Sequence, residues 1–188
     1  RSRRQRQMCI RDSDYGSADY YYVNKSSLPK VYGGFNTSLS WKGFDLSAIF
    51  AYSIGGYIYN RDVTMILHNG SLEGRDWSTE ILRRWTPDNR YTDVPALSTT
   101  SNNWNSASTR FLQNNSYMRL KNLTLSYNLP KQWISKLSLS SVQVYVQGDN
   151  LFTIHRNQGL DPEQGITGIT YYRYPAMRTI SGGINVSF

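Results

Sequence analysis

Cysteine is almost missing: Cys9 stands alone among 188 residues, so there is no internal disulfide framework and cysteine usage does not identify the compartment. Long apolar runs are missing too. No stretch reaches the roughly eighteen apolar residues that a transmembrane helix needs, which excludes that way of crossing a bilayer. Histidine occurs only at His68 and His155, far apart and without cysteine or carboxylate at metal-ligand spacing, and both read as solvated loop residues. Asp161-Pro162-Glu163 is short of oxygen ligands for a calcium loop and reads as a turn. Phosphate-binding loops, dinucleotide fingerprints and the Gly-x-Ser-x-Gly elbow are absent. These absences point away from an enzyme, a metal site or a cofactor.

The formal net charge of +8 is concentrated at one end. Arg1, Arg3, Arg4, Arg6 and Arg11 against Asp12 contribute five minus one, so residues 14–188 carry the remaining +4. Such a cluster can bind nucleic acid. Residues 1–13 share no alternation with the rest of the chain, however, and read as a disordered or non-native tail; no nucleic-acid partner is expected. Nor does an apolar segment come after the charged start, so residues 1–13 are not expected to be a signal peptide. If the mature protein is exported, this chain is expected to lack its own beginning.

What the chain does have is alternation. In Arg178–Phe188, Ile180, Gly182, Ile184, Val186 and Phe188 fall on one face of an extended strand, and Thr179, Ser181, Gly183, Asn185 and Ser187 on the other. The pattern holds to the final aromatic residue. About eleven residues at ~3.3 Å each, tilted by roughly 45°, cover about 25 Å of height, the span of the apolar band of an outer-membrane barrel. The other reading is the edge strand of a soluble sandwich. Only 39% of residues are hydrophobic, but a barrel with a wet lumen is equally polar, since only alternate residues meet lipid.

Four more strands obey the same rule. After a polar, Tyr-rich stretch that ends at Leu28-Pro29, Val31–Trp41 sets Phe35, Thr37, Leu39 and Trp41 against Asn36, Ser38 and Ser40. Lys42-Gly43 signals a two-residue turn, and Phe44–Ile54 continues with Phe44, Leu46, Ala48, Phe50, Tyr52 and Ile54. Tyr117–Leu129 carries Leu123, Leu125, Tyr127 and Leu129 on one face. Met118 and Leu120 are out of phase with them, which predicts a bulge near Lys121-Asn122. Val142, Val144 and Val146 mark a strand ending near Phe152. Residues 55–115 show no clear strand; Asp76 or Ser78 opens a short helix through Trp85, and one helical turn is expected over Trp133. Long connections at 55–116 and 153–175 fall on one rim, short ones at 42–43 and 130–140 on the other, as in outer-membrane barrels. Trp41 and Tyr127 sit where girdle aromatics are expected. Trp77 and Trp85 read as loop packing, whereas Trp104 and Tyr171 are candidates to contact a ligand or a partner.

Several motifs in combination resemble one family. Gly148-Asp-Asn-Leu-Phe-Thr153, Gly159-Leu-Asp-Pro-Glu163, and Tyr174-Pro175 with Arg178-Thr179 ahead of a Phe-ending strand are similar to the carboxy-terminal signature of SusC/RagA-type TonB-linked outer-membrane transporters. Leu120–Pro130 and Tyr32–Asn36 are similar to stretches upstream of that signature. The resemblance covers about residues 14–188. It implies a carboxy-terminal part of an all-β, antiparallel barrel of about 22 strands with long extracellular loops in the outer membrane. It further implies import of glycans or peptides, a SusD-like surface lipoprotein as lid, and TonB coupling through an amino-terminal plug. The strand carrying Ile184, Val186 and Phe188 would be the signal for the barrel assembly machinery. Arg156-Asn157-Gln158 departs from the aromatic expected shortly before Gly159.

Five strands cannot close a barrel, since the smallest bacterial ones need about eight. Two open edges in lipid would leave on the order of ten backbone groups unpaired at several kcal/mol each, more than the net stability of any domain. The chain is therefore expected to be a fragment of a larger barrel. The rival class, a soluble all-β carbohydrate-binding module, would bury its apolar faces in a core and stay monodisperse without detergent.

Overall fold

Alternation becomes one antiparallel sheet in the computed structural model, which describes residues 21–68, 70, 72, 74–98, 103–135, 139–157, 159, 161–163 and 165–188. The basic tail 1–13 and the start of the Tyr-rich stretch lie outside the described residues. The strands of the sheet are β1 (Val31–Trp41), β2 (Phe44–Ile54), β5 (Tyr117–Asn128), β6 (Ser141–His155) and β8 (Thr179–Ser187). They pair in the order β1-β2-β5-β6-β8. The intervening β3 (Tyr57–Asn60), β4 (Leu112–Asn114) and β7 (Ile169–Thr170) form a small sheet of order β4-β3-β7. The chain divides into two compact units. One holds the five-stranded sheet and its adjoining turns; the other holds Ile58–Gln113 and Ile169–Tyr172 with residues 21–25.

The register of the large sheet sorts its side chains into two faces, because directly paired residues point the same way. Phe35 pairs with Phe50, Leu39 with Leu46 and Trp41 with Phe44. Leu46 pairs with Leu125, Leu125 with Val146, and Val144 with Ile184. The opposite face carries Asn36, Ser38, Asp45, Ser47, Asn122, Thr124, Ser126, Gln143, Gln147, Ser181 and Asn185 by the same pairings. Lys42 and Gly43 both have positive φ, 47° and 87°. That is the turn type whose twist matches a hairpin, and it suits Gly43.

The bulge expected near Lys121-Asn122 is present: Ile49 pairs with Asn122 and Phe50 with Leu120, leaving Lys121 over. Skipping one residue brings Met118 and Leu120 onto the apolar face with Leu123 and Leu125. A second irregularity, which the sequence pattern does not announce, lies opposite it. Asp149 pairs with Asn122 and Phe152 with Leu120, so Asn150 and Leu151 are extra on β6. Asn150 takes the left-handed conformation there (φ 52°), which asparagine tolerates better than other side chains. Beyond this point β6 continues to His155 rather than ending near Phe152.

Residues 55–115 hold more structure than expected. Tyr57–Asn60 is too short for alternation to reveal it, yet it pairs in parallel with β7 through Tyr59–Ile169 and Asn60–Thr170. Helix α1 (Arg61–Ile66) comes next, and the Asn60 side chain caps it by accepting the Val63 N–H. The helix expected up to Trp85 is a shorter 3₁₀ segment, Thr79–Arg83, capped by Ser78 and not by Asp76. Of its apolar positions Ile81 is buried and Leu82 exposed. Ile58, Leu67, Val94 and Phe111 complete a small core in this unit. The turn over Trp133 is helix α2 (Lys131–Ile134).

No layer covers the apolar face of the large sheet among the described residues: Trp41 and Ile184 are each 65% exposed. A soluble sandwich would bury such a face. Trp41, Phe44 and Tyr127 gather at the rim of the short turns, with the Phe44 and Tyr127 rings 4.5 Å apart. This is the position of an interfacial girdle. If that face meets hydrocarbon, Ile184→Arg costs about 2–4 kcal/mol of barrel stability and Asn185→Arg little. A folding titration of the parent protein in liposomes measures both, and equal costs would refute the facing.

Candidate functional site

The polar face is knitted by side-chain hydrogen bonds, most of which cross from strand to strand. Asp45 accepts from Ser40 and from Asn128 Nδ2, the latter at 2.7 Å. Asp149 accepts from Asn122 at 2.8 Å and from Gln147 at 3.3 Å. Gln143 donates to Ser126 and accepts from Asn185, both at 3.3 Å. A carboxylate and amide row of this kind belongs beside water or protein, not lipid.

Above this row, at the rim of the long connections, lies the most buried charge of the unit. Arg119 projects from β5 on the polar face and is only 3% exposed. Its guanidinium donates to Asp161 Oδ1, to Glu163 Oε2 at 2.9 Å and to Thr153 Oγ1 at 3.0 Å. Lys121, the residue left over by the bulge, also donates to Glu163. Two cations meet two carboxylates, so a buried charge that would be costly alone is compensated. Burial pushes the Asp161 pKa up, but the N–H groups of Ala176 and Glu163 and the Arg119 guanidinium outweigh it and hold the pKa below its ordinary value. Pro162 is buried, and its carbonyl accepts from Asn115 Nδ2 at 2.8 Å. Asn115 Oδ1 in turn accepts from the buried Asn157 at 3.1 Å. Asp161-Pro162-Glu163 is thus a turn, as expected, but one that ties the β6–β8 connection to the polar face of β5. Its carboxylates pair with Arg119 and Lys121.

The two candidate contact residues sit in the other unit. Trp104 is half-buried, with the Arg110 guanidinium 3.2 Å from its ring centroid and its Nε1 buried without a partner among the described residues. Burial lowers the Arg110 pKa, while Asp93 and Glu80 act in the opposite sense. Tyr171 is 44% exposed, comes directly after β7, lies under Arg61 at 4.6 Å, and stands 4.2 Å from the Tyr172 ring. Tyr172 has a left-handed backbone (φ 48°) and donates its N–H to Asp62 at 3.0 Å. Each aromatic is therefore oriented by an arginine, and Tyr171 keeps the larger open surface. Trp77 packs on its own loop, donating to His68 Nδ1 at 2.9 Å. His68 is not solvated as expected: it is 1% exposed, and its Nε2 lacks a partner among the described residues. His155 is exposed, with Nδ1 2.9 Å from the Asn157 carbonyl.

In β8, Ile184 and Val186 lie on the apolar face opposite Val144 and Val142, and Phe188 beyond them is 92% exposed. Sequence reasoning missed the role of Arg119. Its only signal was an arginine inside an alternating strand on the polar side, next to the phase break at Lys121.

No family model matches the chain. The TonB-dependent receptor P3 of Formosa agariphila is 34% identical over 166 residues, which cover 82% of this chain and 16% of that protein. The TonB-dependent receptor SusC of Bacteroides thetaiotaomicron is 27% identical over 89% of this chain and 16% of its own length. Among solved structures, the RagAB peptide importer in its closed-closed state matches with a TM-score of 0.78 and 36% identity, over 88% of this chain and 18% of that one. The chain thus spans less than a fifth of the proteins it matches. With its two-faced, open antiparallel sheet, it belongs to the SusC/RagA-type TonB-dependent receptors of the outer membrane, as a fragment of their larger barrel.

Proposed function

We propose that this chain is the carboxy-terminal wall of a TonB-dependent importer that takes oligomeric nutrients across the outer membrane together with a SusD-like surface lipoprotein. One observation carries the reading: a sheet with an uncovered apolar face and a hydrogen-bonded polar face, matching in sequence and shape receptors and an importer of this kind. The fragment supplies wall, extracellular loops and an assembly strand; its part is transport, not catalysis. Glycans are the first cargo class. Peptides stand beside them, because the solved relative is named a peptide importer. Energy coupling to TonB belongs to the amino-terminal part of the parent protein.

The loop aromatics give this reading its partner site. Aromatic side chains are the usual anchors of an interface core, and losing one true anchor costs at least ~2 kcal/mol, roughly thirtyfold in affinity. Trp104→Ala or Tyr171→Ala in the parent is expected to reduce retention of the lipoprotein, or uptake of substrate, by that order at unchanged barrel abundance. Full retention and full uptake in both variants would leave these rings as loop packing.

The assembly role of β8 is tested separately. Ile184, Val186 and Phe188 present an apolar row ending in an exposed aromatic, which suits recognition by the barrel assembly machinery. Deleting Phe188 is expected to lower the amount of parent protein in the outer membrane severalfold, as read by surface labelling. Unchanged surface levels would count against the signal.

A further inference from the structure

Transport leaves the Asp161-Pro162-Glu163 turn without a role, and the pairing of β8 supplies one. Side-chain direction along a strand has period two. Slipping β8 by one residue on β6 would turn its polar face outward and is blocked by the apolar pattern. Slipping it by two is not, since Val144 would face Gly182 or Val186 in place of Ile184. Alternation alone therefore cannot choose the register.

Three contacts can. The Tyr145 ring lies over Gly183, where a Cβ would stand 2.7 Å from its Oη. A slip of two brings Ser181 or Asn185 to that crowded place. Asp161 Oδ2 accepts the Ala176 N–H at 2.6 Å, and Asn150 Nδ2 donates to the Met177 carbonyl at 3.2 Å. Ala176 and Met177 lie just ahead of Thr179, where β8 begins. Neither anchor is loose. Asp161 is held by Arg119 and by the Glu163 N–H at 2.9 Å. Asn150 is held by the irregularity between β5 and β6, in a left-handed conformation. The bonds to the Asp161 carboxylate are charge-assisted, the stronger kind.

We propose that Arg119, Asp161 and Asn150 form a registration lock that fixes where β8 starts on β6, so that barrel wall and polar row assemble in a single register. Cysteine pairs in the full-length parent, with any native cysteines replaced by serine, test it. Gln143→Cys with Asn185→Cys reports the native pairing. Gln143→Cys with Ser187→Cys and Gln147→Cys with Thr179→Cys report the slips of two in either direction. With Asp161→Ala, the ratio of native to slipped cross-link in assembled barrels is expected to fall at least about tenfold, the equivalent of about 1.4 kcal/mol. Arg119→Met is expected to act in the same direction. Folded Asp161→Ala barrels with an unchanged ratio would overturn the proposal. If Asp161→Ala yields no folded barrel, Asn150→Gly decides. It keeps the left-handed turn and removes only the bond to Met177, so a fall in the ratio supports the lock and an unchanged ratio overturns it.

Discussion

A β-strand in hydrocarbon must have every backbone polar group paired with a neighbouring strand, because no water is there to replace a missing partner. That constraint orders the rest of this protein. It forces long, in-register antiparallel pairs and makes one face apolar. It leaves the other face free to be polar. The described sheet obeys it along its internal pairs except at Lys121 and Asn150-Leu151, and its two outer edges, on β1 and β8, have no neighbour among the described residues. The chain covers less than a fifth of its relatives, and open edges of this kind need neighbouring strands in hydrocarbon.

The departures from that constraint at mid-height fall together. Lys121 on β5 and the Asn150-Leu151 pair on β6 lie opposite one another, so two strands depart from regular pairing at one place instead of two. The result carries Arg119 up the polar face to meet Asp161 and Glu163, while Met118, Leu120, Phe152 and Ile154 stay on the apolar face. A disruption of the ladder thus coincides with the point where a long connection is pinned to the wall. Charge is balanced there by two basic and two acidic side chains, and the Glu163 and Ala176 N–H groups donate to Asp161 as well.

The five long strands were legible because each is governed by its own residues: Ile180 to Phe188 or Phe44 to Ile54 carry their facing in the order of side chains. Bulges were legible only by parity. One extra residue at Lys121 moves the apolar set from even to odd positions and shows as a phase break. Two extra residues at Asn150-Leu151 leave Val146 and Phe152 both even, and the alternation passes through unbroken. Contacts between distant residues were not legible at all. Arg119 finds its carboxylate 42 positions away, and His68 is buried by a tryptophan nine residues on, where no periodicity connects them. The small β3-β7 pairing failed for a plainer reason, since two to four residues carry too little pattern to register.

The facing of the strands is the central claim, and lipid-borne quenching tests it most directly. A fluorophore placed in turn at cysteines replacing Ile184, Asn185, Val146, Gln147, Leu125 and Ser126 of the assembled parent is exposed to nitroxide-labelled lipids. Strong quenching at 184, 146 and 125, with weak quenching at 185, 147 and 126, is the expected result. Quenching that fails to alternate along each strand, or that alternates with the opposite phase, would contradict a wall whose apolar face meets the bilayer.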